Sequence, residues 1–240
     1  MLNILVPIAG KGQRFKDEGY KMPKPLIDVR GQTMLELALE NLDAGPKVKY
    51  FFLCLEKDYN EHKAKFDSIA DKYKADITLV KNTTEGAACT ALLAKDFIDN
   101  TDELIITDCD HLTLDPSYLK SGIKTFRQNK ASGGIFSFWN DSPKWSYLRI
   151  SGGLVKEVVE KQVVSNFANT GTYYFKYGQD FVDAAERMIT NNIRVNGEFY
   201  IAPTYNQLVL ENKKVMPYFV NGMIALGTPS DLTKYLGELA

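Results

Sequence analysis

An apolar strand that runs directly into a loop of small residues is the feature that most constrains the fold of this chain. The run from Ile4 to Ile8 predicts a buried strand, and Ala9-Gly10-Lys11-Gly12 follows it. Two glycines let the backbone turn sharply and direct its N–H groups toward an anion. Arg14 and Lys24 add positive charge to the same loop. Small residues at a strand end followed by spaced cations suit the triphosphate of a nucleotide, and we predict that these residues bind it.

Two common phosphate-binding loops are excluded by the spacing. The dinucleotide-binding pattern G-x-G-x-x-G requires a third glycine where this chain has Phe15, and the P-loop pattern G-x-x-x-x-G-K-[ST] is absent. Pro23 and Pro25 predict that the chain stays irregular for roughly twenty residues, which is longer than an ordinary connection. What remains, G-x-G-x-R-F followed by P-K-P-L, resembles the nucleotidyltransferase family, whose members activate sugar 1-phosphates and related phosphates.

The overall composition narrows the class of protein. A chain of 240 residues with 45% hydrophobic residues can bury a core. A formal net charge of −1 gives no long-range field for nucleic acid or acidic membranes, so we expect neither as a partner. Cys54, Cys89 and Cys109 lack the spacing of zinc ligands and are interpreted as core residues. Because no apolar run reaches the length of a membrane span, we predict a soluble cytoplasmic protein.

Strands and helices alternate through the first half of the sequence. Short apolar runs rich in branched residues predict buried strands at residues 2–8, 48–55, 77–80 and 104–107. Periodicity predicts helices at residues 35–42, 58–73 and 84–98, and Asp115-Pro116 is typical of the start of another. Thr33 and Glu36 have the spacing of a capping box at the start of the first of these helices. Four such units in a row predict an α/β fold with a mostly parallel central sheet and flanking helices.

The second half is predicted to contain shorter strands, then helices near residues 179–190 and 200–211, and a last helix capped by Thr228 and Asp231. Trp139 and Trp145 flank residues 140–144, which we interpret as a hairpin; the alternative is a mobile aromatic lid over the acceptor. Because no linker or repeat interrupts the chain, we predict one domain over residues 1–240. Its nucleotide-binding half would be residues 1–130 and its acceptor-binding half residues 131–240. This order of elements resembles the glycosyltransferase-A-like, Rossmann-like fold that nucleotidyltransferases share.

Two carboxylates stand at the end of a buried strand. Asp108 and Asp110 are two residues apart, so a strand places them on the same face, at the edge where α/β sheets bind ligands. Oxygen ligands beside a triphosphate suit Mg²⁺. The resemblance implies Asp110 as the metal ligand and Asp108 as the flanking residue. The family usually has a second metal Asp where this chain has Ala225, and Asp108 and Glu198 are the candidate replacements.

The remaining site residues follow from the resemblance. The loop at Glu85 and Gly86 would read the nucleobase, and its alternative role is a plain helix start. The strand-end sequence Val159-Glu160-Lys161 and the strand at Asn169-Thr170-Gly171 match the family's acceptor motifs. Lys161 would neutralise the acceptor phosphate, and Glu160, Asn169 and Gly171 would contact the acceptor. Glu198 is either a further acceptor or metal contact or a helix cap.

The reaction implied is transfer of a nucleoside monophosphate from an NTP, with CTP or UTP favoured, to the phosphate of a small acceptor. Mg²⁺ is the implied cofactor, Arg14, Lys24 and Lys161 the implied catalytic cations, and a homo-oligomer is possible. The Phe15 motif and the insert at residues 19–23 resemble the branch associated with capsule and surface polysaccharides, which includes phosphoglutamine cytidylyltransferases. Two alternatives remain: a glycosyltransferase that uses Asp108-Cys109-Asp110 as its metal motif, and a non-catalytic nucleotide-binding regulatory module.

Overall fold

A computed structural model describes residues 1–238, with strands and helices that alternate through the first half. The helices are α1 (Gln13–Asp17), α2 (Met34–Leu42), α3 (Glu56–Glu61), α4 (Lys63–Tyr73), α5 (Ala87–Leu92), α6 (Lys95–Ile98), α7 (Tyr118–Gln128), α8 (Gly178–Thr190), α9 (Thr204–Leu210) and α10 (Pro229–Glu238). The strands are β1 (Leu2–Ile8), β2 (Asp28–Val29), β3 (Gln32–Thr33), β4 (Val48–Leu55), β5 (Ala75–Val80), β6 (Glu103–Thr107), β7 (His111–Thr113), β8 (Gly133–Trp139), β9 (Ser146–Ser151), β10 (Leu154–Glu160), β11 (Phe167–Phe175), β12 (Val215–Phe219) and β13 (Met223–Ala225). Within residues 1–238, no helix is long and apolar enough to cross a membrane.

One nine-stranded sheet contains strands from both halves of the described chain. From one edge to the middle of this sheet, β5, β4, β1 and β6 are parallel, as predicted. Beyond β6 the sheet continues through β11, which pairs antiparallel with β6, β8 and β9. Short two-stranded sheets form between β2 and β3 and between β7 and β13. The predicted α/β class is therefore confirmed, and the antiparallel strands of the second half extend the parallel centre.

Alternate residues of the central strands pack into two hydrophobic clusters, one on each face of the sheet. On β1, Leu5 joins the first cluster, whereas Ile4 and Val6 join the second. Helices α5, α8 and α9 contribute to the first cluster, and α2, α4 and α7 contribute to the second. Because both faces are covered, the central strands are apolar at nearly every position, which is the pattern that predicted them.

The chain after β1 is more regular than predicted. Gly12 adopts a left-handed conformation (φ 59°) and accepts backbone hydrogen bonds from Phe15 and Lys16, so that α1 begins at once. The phenyl ring of Phe15 is buried in a third cluster with residues of β13 and α10, including Leu232. A short 3-10 helix then covers Lys24–Leu26. Burial of the Phe15 ring therefore stabilises α1 in a segment that was predicted to be a loop because of its prolines.

Several predicted boundaries in the helices were wrong. The helix predicted over residues 58–73 is two helices that break at His62, where the rings of Tyr59 and Phe66 pack 6.0 Å apart. The helix predicted over 84–98 is likewise split into α5 and α6. Asp115 caps no helix: α7 begins at Tyr118, and the Asp115 carboxylate accepts hydrogen bonds from Asn221 instead. The contact with Asn221, which is distant in sequence, thus replaces the predicted cap by Asp115.

The two tryptophans do not flank a hairpin. Strand β8 ends at Trp139 and β9 begins after Trp145, but each strand pairs with β11, which lies between them. Ala168 of β11 is opposite Phe138 on one side and Tyr147 on the other. The segment of residues 140–145 therefore crosses the end of β11 and does not form a tight turn.

Candidate active site

The site is built around the end of β6, in the centre of the sheet. Asp108 and Asp110 follow that strand, and His111 opens β7. A carboxylate oxygen of Asp108, a carboxylate oxygen of Asp110 and a ring nitrogen of His111 all lie within 4.8 Å of one another. The structure therefore brings Asp108 and Asp110 together, as the strand-end spacing predicts. Burial, and then the charge of Asp110, raise the pKa of Asp108 well above its ordinary value.

His111 is held by the protein itself. Its Nε2 atom lies 3.1 Å from the hydroxyl oxygen of Thr172 on β11, and its side chain is buried. Burial lowers the pKa of His111 to about 4, so the imidazole is neutral near pH 7.

Two glycines press against the carboxylates. Gly171 has φ +90°, and a Cβ atom there would lie 2.5 Å from Oδ2 of Asp108. A Cβ atom at Gly227 would lie 2.7 Å from Oδ2 of Asp110. Backbone hydrogen bonds fix the same approach, from the Asp108 amide to the Gly171 carbonyl (3.1 Å) and from the Leu226 amide to the Asp110 carbonyl (2.7 Å). Gly171 thus lies where β11 meets Asp108.

Lys24 reaches the same carboxylate cluster. Its Nζ atom lies 2.7 Å from Oδ2 of Asp110, and the side chains of Lys24 and Asp110 are only 28% and 22% exposed. Burial by itself would raise the pKa of Asp110, but the Lys24 ammonium outweighs it and holds that pKa below its ordinary range. The residue predicted for the triphosphate and the residue predicted for the metal are therefore in direct contact.

The donor set fits a hard divalent cation. Asp108 and Asp110 present carboxylate oxygens from one strand end, and hard cations such as Mg²⁺ prefer oxygen ligands. Ala225 lies opposite His111 in the pairing of β13 with β7, so no carboxylate enters from that position. Of the two candidate replacements, Asp108 belongs to the cluster, whereas Glu198 lies exposed on the turn of residues 195–198 and does not.

Asp108, Asp110 and His111 form part of the wall of a cleft of about 260 Å³, which is lined by residues from both halves of the chain. The predicted site residues in its wall are Arg14, Asp108, Asp110, Glu160, Lys161, Asn169 and Gly171. Those outside the wall are Ala9, Gly10, Lys11, Gly12, Lys24, Glu85, Gly86 and Glu198. Gly12 is nevertheless adjacent to the site, because a Cβ atom there would lie 3.4 Å from Cβ of Lys24.

Comparison with known proteins gives one family. A model of the Nucleotidyl transferase family matches residues 4–233. The chain belongs to this family. No curated protein matches the sequence.

Solved structures show the same fold as this nucleotidyltransferase at low identity. A nucleoside-diphosphate-sugar pyrophosphorylase from Vibrio cholerae RC9 is 23% identical, with a TM-score of 0.83 over 98% of this chain and 99% of that one. A UDP-glucose pyrophosphorylase in complex with UDP-glucose is 17% identical, with a TM-score of 0.78 over 100% and 98% of the two chains. An inositol-1-phosphate CTP transferase from T. maritima is 15% identical, with a TM-score of 0.78 over 99% and 94%.

The cations at the cleft of the nucleotidyltransferase differ in their partners. Of those that line it, Lys144 pairs with Asp231 at 3.0 Å, and Lys161 lies 3.3 Å from the carboxylate of Glu160. Arg14 is exposed at the cleft and, among the described residues, has no carboxylate within 4.0 Å. Arg14 is therefore the cation most open to an incoming anion.

The residues predicted to contact the acceptor have hydrogen-bond or ion-pair partners within the wall of the cleft. The amide nitrogen of Asn169 donates to the hydroxyl oxygen of Ser146 at 2.7 Å. Burial raises the pKa of Glu160 even though the Lys161 ammonium lies beside it. Lys161 also donates to the carbonyl oxygen of Lys144 at 2.5 Å. These contacts link the wall of the cleft to the segment of residues 140–145.

The loop predicted to read the base packs against Phe199. Gly86 has φ +145°, and a Cβ atom there would lie 2.3 Å from the Phe199 carbonyl oxygen. The Phe199 amide donates to the Glu85 carbonyl at 2.9 Å, and the Glu85 carboxylate pairs with Arg194 at 2.5 Å. The Arg194 guanidinium in turn lies 4.0 Å from the centre of the Phe199 ring. Gly86 is thus required for packing, and its role in base recognition stays a prediction.

Sequence reasoning missed several residues of the cleft. Lys144, Gly227, Thr228 and Asp231 line it. Thr228 and Asp231 do form the predicted cap of α10, since the Asp231 amide donates to Thr228 Oγ1 at 3.1 Å. The capping pattern accounts for Thr228 and Asp231 as residues at the start of a helix. It does not indicate that the Asp231 carboxylate also faces the cleft.

Proposed function

We propose that this nucleotidyltransferase moves a nucleoside monophosphate from an NTP to the phosphate of a small acceptor and releases pyrophosphate. The observation that carries the proposal is the charge arrangement in one cleft. Arg14 supplies a cation from the first half, Lys161 supplies one from the second half, and both line the cleft that contains Asp108 and Asp110. A cleft that is lined by cations from both halves of the chain and by two carboxylates suits two phosphate groups that meet at a bound metal ion.

The proposed chemistry requires no protein nucleophile. An acceptor phosphate is already anionic, so its oxygen can attack the α-phosphorus of the NTP in line without a general base. Catalysis then consists of positioning and charge neutralisation. Asp110 would hold Mg²⁺, with Asp108 as the flanking carboxylate, and the ion would neutralise charge on the triphosphate when bound.

Each remaining predicted residue has a place in this proposal. The backbone of Ala9, Gly10, Lys11 and Gly12 would hold the phosphates with Arg14 and Lys24. Glu85 and Gly86 would border the base, and we favour CTP or UTP. Glu160, Asn169, Gly171 and Glu198 would lie toward the acceptor. The acceptor would be a sugar 1-phosphate or a non-sugar phosphate such as phosphoglutamine or phosphocholine, used for surface-polysaccharide precursors.

A substrate panel tests the proposed reaction. The four NTPs are each combined with sugar 1-phosphates, phosphocholine and phosphorylated amino acids, and pyrophosphate release is measured with Mg²⁺ and with EDTA. We expect metal-dependent release only when an acceptor is present. Transfer from a nucleotide sugar to an alcohol without use of NTP would replace the proposal with a glycosyltransferase. Nucleotide binding without any turnover would replace it with a regulatory module.

Arg14→Ala and Lys161→Ala are expected to damage different steps. Loss of the Arg14 guanidinium should weaken NTP binding by at least about tenfold without acceptor, because a charge-assisted contact is lost. Loss of the Lys161 ammonium should leave NTP affinity nearly intact and lower kcat/KM for the acceptor by on the order of a hundredfold. Calorimetry with NTP alone and kinetics with each substrate varied measure the two effects.

Lys16→Ala is the matched control for Arg14→Ala. Lys16 lies on the same helix, α1, but outside the cleft wall, so its loss removes an equal charge without the contact. We expect it to bind NTP as the wild type does. If Lys161→Ala abolished NTP binding and Arg14→Ala had no effect, the assignment of the two subsites would be reversed.

A further inference from the structure

Lys24 forms an ion pair with Asp110, the carboxylate proposed to bind the metal. Its Nζ atom is 2.7 Å from Asp110 Oδ2, the same oxygen that a Cβ atom at Gly227 would approach to 2.7 Å. The two residues are 86 positions apart in sequence, so the tertiary fold creates this contact. A divalent cation bound at Asp110 would have to share that carboxylate with an ammonium group, and like charges at such distances repel strongly.

The backbone around Lys24 is held in place by packing and by hydrogen bonds. Pro25 and Leu26 are buried, and backbone hydrogen bonds close the 3-10 helix from Leu26 to Pro23 (2.8 Å) and from Ile27 to Lys24 (3.2 Å). The side chain itself is partly exposed. Its Cβ atom lies beside Gly12, at the end of the loop that follows β1. From one fixed Cα position, the ammonium can therefore serve either Asp110 or an anion at that loop.

We propose that Lys24 is an internal cation that holds Asp110 in the nucleotide-free protein and excludes the metal until a nucleotide phosphate draws the ammonium away. The inference rests on the proposed function, because it takes Asp110 as the metal ligand. Its consequence is an order of binding: the free protein binds a divalent cation weakly, and the cation enters together with the nucleotide. By linkage, the exchange of Lys24 between partners couples metal and nucleotide binding.

The test measures metal affinity of the nucleotide-free protein. Mn²⁺ is titrated into the full chain, and the unbound ion is followed by its electron paramagnetic resonance signal. We expect Lys24→Gln to bind Mn²⁺ at least about tenfold more tightly than the wild type, within the range usual for coupling between sites. Lys24→Met, which also removes the hydrogen bond, should do the same, and thermal unfolding with and without Mn²⁺ shows whether each variant is folded.

Lys144→Gln is the matched control. It removes the same charge from a residue that lines the cleft beside Asp110, but the partner of Lys144 is Asp231 and not Asp110. We expect it to change Mn²⁺ affinity by no more than about twofold, because partly exposed charges interact weakly over distance. An equal gain in Lys144→Gln would mean that any cation in the cleft repels the metal, which contradicts a specific role for Lys24.

The double variant separates this inference from the proposed function. In Lys24→Gln combined with Asp110→Asn, the gain in Mn²⁺ affinity should disappear. If the gain persists there, Asp110 is not the ligand and the proposed metal site is wrong. If Lys24→Gln and Lys24→Met bind Mn²⁺ no better than the wild type, while Asp110→Asn removes the binding that remains, the metal site stands and the role of Lys24 as an internal cation is wrong.

Discussion

Asp110→Asn is expected to lower turnover by at least on the order of a hundredfold, as the loss of one preorganised electrostatic group does. The substitution keeps the shape of the side chain and removes the charge that would hold the metal. Asp108→Asn should lose less, because Asp108 has no ion pair with Lys24 and carries the flanking role. Pyrophosphate release at saturating substrates, measured for both variants and the wild type, gives the comparison.

A change in stability has to be separated from this loss of turnover. Asp110→Asn removes the carboxylate partner of Lys24, whose side chain is 28% exposed, so we expect a destabilisation of about 1–3 kcal/mol. Urea unfolding measures it, and activity is compared only under conditions where both proteins are folded. Equal turnover in Asp110→Asn and the wild type would contradict the metal assignment. A loss in Asp108→Asn as large as in Asp110→Asn would make Asp108 the second ligand in place of the residue missing at Ala225.

Gly86→Ala is expected to cost about 3 kcal/mol or more of unfolding free energy. Two effects add: the residue has φ +145°, which disfavours any side chain, and the new Cβ atom would lie 2.3 Å from the Phe199 carbonyl oxygen. Since that atom belongs to the backbone, it cannot rotate away. The loop at Glu85 and the segment at Phe199 would have to separate. Urea unfolding of variant and wild type gives the difference.

Gly197→Ala is the control for strain without a clash. Gly197 has φ +81°, in the turn next to Phe199, and nothing lies within 4 Å of the Cβ atom it would gain. We expect a cost of about 1–2 kcal/mol there, from backbone strain alone. If Gly86→Ala and Gly197→Ala destabilise the protein equally, contact with Phe199 contributes nothing, and base recognition becomes the better explanation for a glycine at residue 86.

The parts of the fold that could be predicted are those encoded by local pattern. Strand β1 matched its predicted bounds at Leu2–Ile8, because strands covered on both faces are apolar at successive positions. The cap of α2 at Thr33 and Glu36 formed as its spacing indicates, with both reciprocal hydrogen bonds present. The juxtaposition of Asp108 and Asp110 also followed from one strand end.

Long-range contacts explain what the sequence did not predict. Asp115 accepts hydrogen bonds from Asn221 although its neighbours favour a helix cap, and α1 forms because Phe15 is buried against elements from the end of the chain. Trp139 and Trp145 flank a crossing of β11, because strand order in a sheet depends on pairing energies that no local pattern reports.

The sequence alone determined which residues we propose for the chemistry: those after a strand that ends in small residues and cations, and those after a second strand that ends in two carboxylates. These are local features, since a strand end fixes where its neighbours point. Only the tertiary structure decided how they meet. The fold brings the Lys24 ammonium into contact with Asp110. It packs Gly171 against the carboxylate of Asp108 and Gly227 against that of Asp110, and it places Asp231 in the wall of the cleft. Each of these contacts joins residues far apart in the chain, so its geometry depends on how the sheet and helices pack around both partners.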